Sequence, residues 1–314
     1  MKVAVIFNGQ GAHYPNMGLD FQDVFPQSKE IFDKVESITG MPIREWIESD
    51  QEKFKETRNA QVAIAGVSMA IYESIKSSLP AVTFMGGLSL GEYSALMASG
   101  MLGIDEGFKL LQERGELMSQ HCKKLAEETP AQMLAVINMP YEEIEKLVDE
   151  LNTDDAPLFI ANINSSSQVI IAGTKESTKA FRKAAREAGY RKVMPLKVEG
   201  PFHSPLMSPV CKPFEKALEK VTFSSGEVPV ISNTTVKPHT IETVKPLLVN
   251  HLVEPVRWRQ TIDRFNEEGI THIIQIGPGD TLFKLLSREE NVPKTMVVDK
   301  VEDVSLLKEF LTEE

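Results

Sequence analysis

The stretch that most limits the folds open to this chain is "GLSLGEYSAL", residues 87–96. It sets Ser89 between Gly87 and Gly91, after the short apolar run "AVTFMG" and before a run that reads as helix from Glu92 onward. Strand, tight turn and helix, with serine at the apex, is the context of a nucleophile elbow and calls for an α/β architecture. At average glycine and serine usage the bare G-x-S-x-G spacing arises by chance in roughly one chain of this length in ten. The motif alone therefore leaves a catalytic serine and an ordinary turn residue equally open.

The rest of the chain is organised around alternating strands and helices. A strand at 3–7 runs into the loop "NGQGAHYPNMG", and 19–75 reads as helical. The elbow segment follows at 81–98. A helix is predicted over 104–122, with Ile104, Phe108, Leu111 and Met118 on one apolar stripe. Between about 131 and 198 the order changes to strand "MLAVINM", helix "YEEIEKLVDEL", strands "LFIANIN" and "QVIIAG", helix "KESTKAFRKAAREAG" and strand "RKVMPLKV". That β-α-β-β-α-β order is the order of a ferredoxin-like module. The α/β pattern resumes with a helix near 207–220, a strand "VPVISN", helices near 243–252 and at "WRQTIDRFNEEG", a strand "THIIQIG" and then "GPGDTLFKLL". Such alternation predicts a mainly parallel sheet. The expected organisation is a large α/β domain, 1–128 and 199–314, interrupted by an insert at 129–198.

Composition narrows the function classes. A net charge of −11 over 314 residues argues against a nucleic-acid binder. Cys122 and Cys211 lie far apart, with neither a disulfide framework nor a zinc-type spacing, so no metal is expected. The opening apolar run is too short for a signal peptide, and no stretch of roughly 18 apolar residues could span a bilayer. A soluble cytoplasmic protein with no membrane partner is expected.

A serine hydroxyl is a weak nucleophile and needs a base within hydrogen-bond reach. Of the six histidines, His121 reads as ending a helix, where the dipole favours a cation. His239 follows a proline in a loop and reads as exposed, and His272 opens a strand. His203 stands in "EGPFHSPLM", between Gly200-Pro201 and Pro205, on a stiff loop suited to presenting a base or to a purely structural role. An oxyanion hole requires two N–H groups. Leu90, at the start of the helix, offers one, and the "NGQG" loop centred on Gln10 is the natural source of the other. Arg114 falls on the apolar stripe of its helix, so it faces inward and needs an anionic partner. Glu92 is one candidate and a substrate carboxylate the other.

Six motifs in register resemble the malonyl-CoA:acyl carrier protein transacylase family of bacterial fatty acid synthesis. They are "GQG" near residue 10, "GLSLGEYSAL" at 87–96, "ERGELM" at 113–118, "GPFHSPLM" at 200–207, "EPVRW" at 254–258 and "IGPGDTL" at 276–282. The resemblance implies an α/β-hydrolase-like core with a ferredoxin-like insert, the active site lying between them. It implies malonyl-CoA and acyl carrier protein as partners, and no cofactor, since the CoA thioester is a substrate. It also assigns roles: Ser89 as nucleophile, His203 as general base and acid, and the Gln10 and Leu90 N–H groups as the oxyanion hole. Arg114 grips the malonate carboxylate, and the backbone carbonyl of His251 orients His203. Phe202 matches the malonyl-preferring pattern of the pocket. Leu88 stands where the family commonly has histidine, His251 where it has glutamine, Asn8 where it has proline and Asp280 where it has lysine. A serine esterase or thioesterase, an acyltransferase serving a polyketide pathway and a non-catalytic acyl-carrier scaffold are the alternatives. Because carrier proteins are acidic, a local basic surface is expected at Arg182, Lys183, Arg186, Arg191 and Lys192, residues that otherwise read as a solvated helix face.

Overall fold

The strand β1 (Val3–Phe7) is buried at every position, as a central strand covered on both faces must be. In the computed structural model, which describes residues 1–312, it leads to four helices: α1 (Leu19–Val24), α2 (Pro26–Thr39), α3 (Ile43–Ser49) and α4 (Thr57–Ile75). The mixed small and apolar sequence of α4 leaves it buried almost all round. The elbow follows as β2 (Val82–Gly87) and α5 (Leu90–Ala98). α6 (Ile104–Glu128) runs a further turn and a half beyond the helix read from the sequence. His121 accordingly lies within α6 rather than at its end, and its Nε2 is 2.8 Å from the Leu206 carbonyl.

Residues 131–195 then form β3 (Ala131–Ile137), α7 (Tyr141–Leu151), β4 (Leu158–Ser165), β5 (Gln168–Thr174), α8 (Lys175–Glu187) and β6 (Val193–Pro195). The chain closes through α9 (Ser208–Glu219), α10 (Val244–Asn250), α11 (Trp258–Glu267), β7 (His272–Ile276), α12 (Thr281–Leu286), β8 (Lys294–Val298) and α13 (Val301–Phe310). The strand expected at "VPVISN" is not a regular one. It makes isolated bridges, Val230 with Met85 and Ile231 with Pro238.

Two sheets result. The first is parallel, in the order β2-β1-β7-β8. Its alternating side chains separate two cores. Val3, Val5 and Phe7 face the cluster built on α2, α4, α5 and α6, while Ala4 and Ile6 face Trp258, Ile262 and Phe265 of α11. The second sheet is antiparallel, in the order β4-β5-β3-β6. Leu134, Val136 and Ile171 turn to Ile144, Val148 and Phe181 of α7 and α8. Met133, Ala135 and Ile170, on the opposite face, join the large core.

Backbone bonds tie the second sheet to the body. Ile163 N–H donates to the Val256 carbonyl at 2.8 Å, and Val256 N–H donates to the Ala161 carbonyl at 2.9 Å. Next door, Arg257 N–H donates to the Asn233 carbonyl at 2.8 Å. Asn8 staples the end of β1 to the "GPGD" loop. Its side-chain nitrogen donates to the carbonyls of Pro278 (2.7 Å) and Gly279 (3.1 Å), and its oxygen accepts from Leu282 N–H. No helix among the described residues is long and apolar enough to cross a membrane.

Candidate active site

The turn after β2 places Ser89 at φ 53°, ψ −105°, a backbone state that costs a non-glycine residue of order 1–3 kcal/mol. The two glycines explain the spacing of the motif. A Cβ on Gly87 would lie 2.1 Å from the Gly91 carbonyl carbon, and one on Gly91 would lie 2.1 Å from the Phe7 carbonyl oxygen. The turn is so tight that only hydrogen fits on either side of the serine. Leu88 N–H donates to the same Phe7 carbonyl at 3.2 Å, fixing the elbow to the end of β1.

Asn233 holds the bend from below. Its Oδ1 accepts the Ser89 N–H at 2.7 Å and its Nδ2 donates to the Gly87 carbonyl at 2.7 Å. Asn233 is itself fixed by Glu92, whose Oε2 accepts the Asn233 N–H at 3.0 Å. Glu92 Oε1 lies 2.5 Å from His239 Nε2, and its Oε2 lies 3.6 Å from His251 Nδ1. These residues are all buried. His239 is thus not the exposed loop residue that its sequence context suggests; it is the partner of a buried carboxylate. Nor does Glu92 serve Arg114.

His203 reaches the elbow from the 200–205 loop. Its Nε2 lies 2.7 Å from Ser89 Oγ, and its Nδ1 lies 2.7 Å from the His251 carbonyl oxygen. A carbonyl can only accept, so Nδ1 carries the hydrogen and Nε2 presents a lone pair to the serine hydroxyl. The His251 ring stacks on the His203 ring at 4.8 Å between centroids. Burial lowers the His203 pKa to about 4; its bond to the His251 carbonyl opposes this, and the positive charge of Arg114 adds to it. His203 is therefore neutral at pH 7. His251 is held well below the ordinary histidine value by burial, then by unfavourable electrostatic coupling to its neighbours His203, Arg114 and His239.

Arg114 is 1% exposed. Its Nη1 donates to Gln61 Oε1 at 2.7 Å, and its guanidinium carbon lies 5.0 Å from the centre of the Tyr93 ring. Nε and Nη2 have no hydrogen-bond partner among the described residues. A buried cation with one neutral amide and one aromatic face is poorly compensated for its lost hydration. Ser89, His203 and Arg114 line one cleft of about 220 Å³ with Gln10, Leu88 and Phe202, and its far wall carries Met133, Ala135 and Ile170 of the second sheet. Leu90 heads α5, in the turn whose N–H groups lack intrahelical acceptors. Gln10, on the loop after β1, lines the cleft with Ser89, its side chain donating to Thr57 Oγ1 at 3.1 Å. No group of three or more metal-binding side chains occurs among the described residues. Away from this cleft, Arg182, Lys183, Arg186 and Arg191 line a separate basic groove with Lys179 and Tyr190.

The profile of the acyl transferase domain family matches residues 4–306. The malonyl CoA-acyl carrier protein transacylase of Bacillus subtilis is 33% identical over 318 residues, spanning 100% of this chain and 98% of the relative. The chain belongs to the malonyl-CoA:acyl carrier protein transacylase family. Among solved structures, the MCAT of Streptococcus pneumoniae matches with a TM-score of 0.91 at 34% identity, covering 98% of this chain and 99% of that one. A malonyl-transacylase in complex with a type II PKS acyl-carrier protein matches with a TM-score of 0.91 at 29% identity, covering 98% and 99%.

In this member of the family, sequence reading does not reach Asn233, His239 or Gln61. Their partners lie 144, 147 and 53 residues away, and no local pattern marks them. For Gln61 there was one signal: a polar side chain in the midst of the apolar face of α4. The low pKa of His203 has a direct consequence. The rate at which a fluorophosphonate reagent modifies Ser89 should stay level from about pH 8 down to about pH 5.5, then fall as the pH drops toward 4, because a proton on Nε2 removes the acceptor. A profile halving near the unperturbed histidine value of about 6.5 would contradict the buried, neutral base.

Proposed function

We propose that this chain transfers a malonyl group from malonyl-CoA to the phosphopantetheine thiol of acyl carrier protein through a malonyl-serine ester. The observation that carries the reading is the buried Arg114, with two nitrogens unpartnered among the described residues, in the same cleft as a serine–imidazole pair 2.7 Å apart. A guanidinium in that state is suited to a carboxylate held by paired hydrogen bonds, and malonate carries a carboxylate beyond its reacting carbonyl. Family membership supports the same donor and acceptor.

The steps follow from the geometry. Ser89 Oγ attacks the thioester carbon as His203 Nε2 takes its proton. The oxygen that gains charge is held by the N–H groups of Gln10 and Leu90, the second backed by the α5 dipole. Collapse breaks the carbon–sulfur bond, and the departing CoA sulfur receives the proton from His203. The carrier's thiol then gives its proton to His203 and attacks the ester; collapse returns the proton to Ser89 and releases malonyl-carrier protein. The His251 carbonyl keeps the His203 ring in one tautomer throughout, without an acidic third member. Leu88 and Phe202 form apolar walls beside the reacting carbonyl. The finer architecture belongs to this proposal: an α/β-hydrolase-like body, 1–128 and 199–314, carrying a ferredoxin-like insert at 129–198. Residues 313 and 314 of that assignment lie outside the described residues. The antiparallel order β4-β5-β3-β6 supports the insert.

Incubation with radiolabelled malonyl-CoA tests the reaction. The expected result is a labelled adduct, absent in Ser89→Ala, that passes its label to carrier protein. Release of free malonate would favour the thioesterase reading, and no label at all the scaffold reading. Arg114→Ala should lower kcat/KM for malonyl-CoA about a hundredfold, the size of a lost charge-assisted pair, while acetyl transfer holds or rises. Equal losses with both substrates would rule out the carboxylate grip. The basic groove on α8 supports docking of an acidic carrier. Reversing Arg186 and Arg191 to Glu should raise KM for carrier protein several-fold and leave KM for malonyl-CoA unchanged; equal changes in both would exclude a docking role.

A further inference from the structure

We infer that Glu199 is a positioning residue that sets the register of the oxyanion loop, the arginine grip and the base loop together; this rests on the malonyl-transfer reading above. α4 has no side-chain cap of its own. Its first N–H group, on Thr57, donates instead to Glu199 Oε2 at 2.5 Å, from a residue 142 positions further along the chain. A carboxylate there satisfies an otherwise orphaned donor and faces the positive end of the helix. The same oxygen accepts from Ser119 Oγ of α6 at 2.8 Å, and Ser119 Oγ in turn accepts the Arg58 N–H at 3.4 Å.

Each neighbour of this carboxylate leads to one working part of the cleft. Thr57 Oγ1 accepts from the Gln10 side chain at 3.1 Å, bracing the loop whose N–H is assigned to the oxyanion. Gln61, one turn along α4 from Thr57 and so on the same face, holds Arg114 at 2.7 Å. Ser119 lies on the helix that carries Arg114. Glu199 itself opens the "EGPFH" segment that ends at His203. One side chain thus joins α4, α6 and the base loop at the point where all three enter the site. Removing it frees the start of α4, which would move Gln10 and Gln61 relative to Ser89 without touching the substrate.

The experiment compares Glu199→Ala, Glu199→Asp and Glu199→Gln in the full chain, by malonyl and acetyl transfer, by the rate of Ser89 modification with a fluorophosphonate, and by thermal melting. Glutamine keeps an acceptor oxygen at the same reach, whereas aspartate withdraws it by one methylene. Glu199→Ala should lower kcat/KM for malonyl-CoA at least tenfold and that for acetyl-CoA less, since only malonyl uses Arg114, and should slow fluorophosphonate labelling. Glu199→Gln should recover to within about threefold of the parent on every readout, and Glu199→Asp should fall between. A parent-like Glu199→Ala overturns the inference. So does a loss that follows the fall in melting temperature and is equal for both acyl groups. If Glu199→Ala does not fold, Glu199→Asp decides: parent-like rates overturn the inference, and a malonyl-biased loss with a parent-like melting temperature supports it. Absence of malonyl transfer by the parent chain would instead refute the functional reading, and fluorophosphonate labelling of the same variants would still measure the effect of Glu199 on the site.

Discussion

The site depends on the Glu92 carboxylate beneath the elbow. A serine held at positive φ tends to relax, and the opposing force is supplied by two hydrogen bonds from Asn233. Glu92 fixes the Asn233 backbone N–H, and Arg257 N–H holds its carbonyl, so the side chain is set to make both. The other carboxylate oxygen takes His239, and the His251 ring lies beside the pair. A fully buried carboxylate carries a desolvation cost of several kcal/mol unless it is bonded on all sides. Here that demand is what organises three distant segments around Ser89. The His251 carbonyl bonded to His203 belongs to one of them, so Ser89 and His203 are located from a common anchor.

Around that anchor the cleft combines groups that water would separate. His203 stays neutral because burial penalises its charged form. Arg114 lies in the same surroundings, with the Tyr93 ring and Gln61 as its neighbours. The two are compatible because the cation makes a second cation less favourable next to it, and that keeps a lone pair on Nε2. Low polarity also strengthens whatever the unpartnered guanidinium nitrogens meet. The same environment that keeps the imidazole neutral thus strengthens any ion pair formed at the guanidinium.

Much of this was legible in the sequence, for identifiable reasons. The elbow is legible because two glycines flank the serine, Gly87 forced by the Gly91 backbone and Gly91 by the backbone of β1. The antiparallel unit is legible because β3 to β6 and their helices are local and strongly patterned. Arg114 gives itself away by sitting on an apolar stripe. What escaped depends on contacts between distant segments. His239 looks like a solvent-facing loop residue until Glu92 is placed against it, 147 positions away. "VPVISN" has strand composition but pairs only through single bridges. β8 and α13, beyond "GPGDTLFKLL", carry a mixed polar pattern in which no period stands out, and the placement of β8 comes from pairing with β7.

The backbone bonds that join Ile163 and Ala161 to Val256 have a consequence for how the second sheet is held. A wall attached by its main chain does not swing like a hinged flap, because opening it would break paired amide bonds as well as side-chain contacts. The spacing between this wall and the body is therefore held by paired main-chain amides and not by side chains alone.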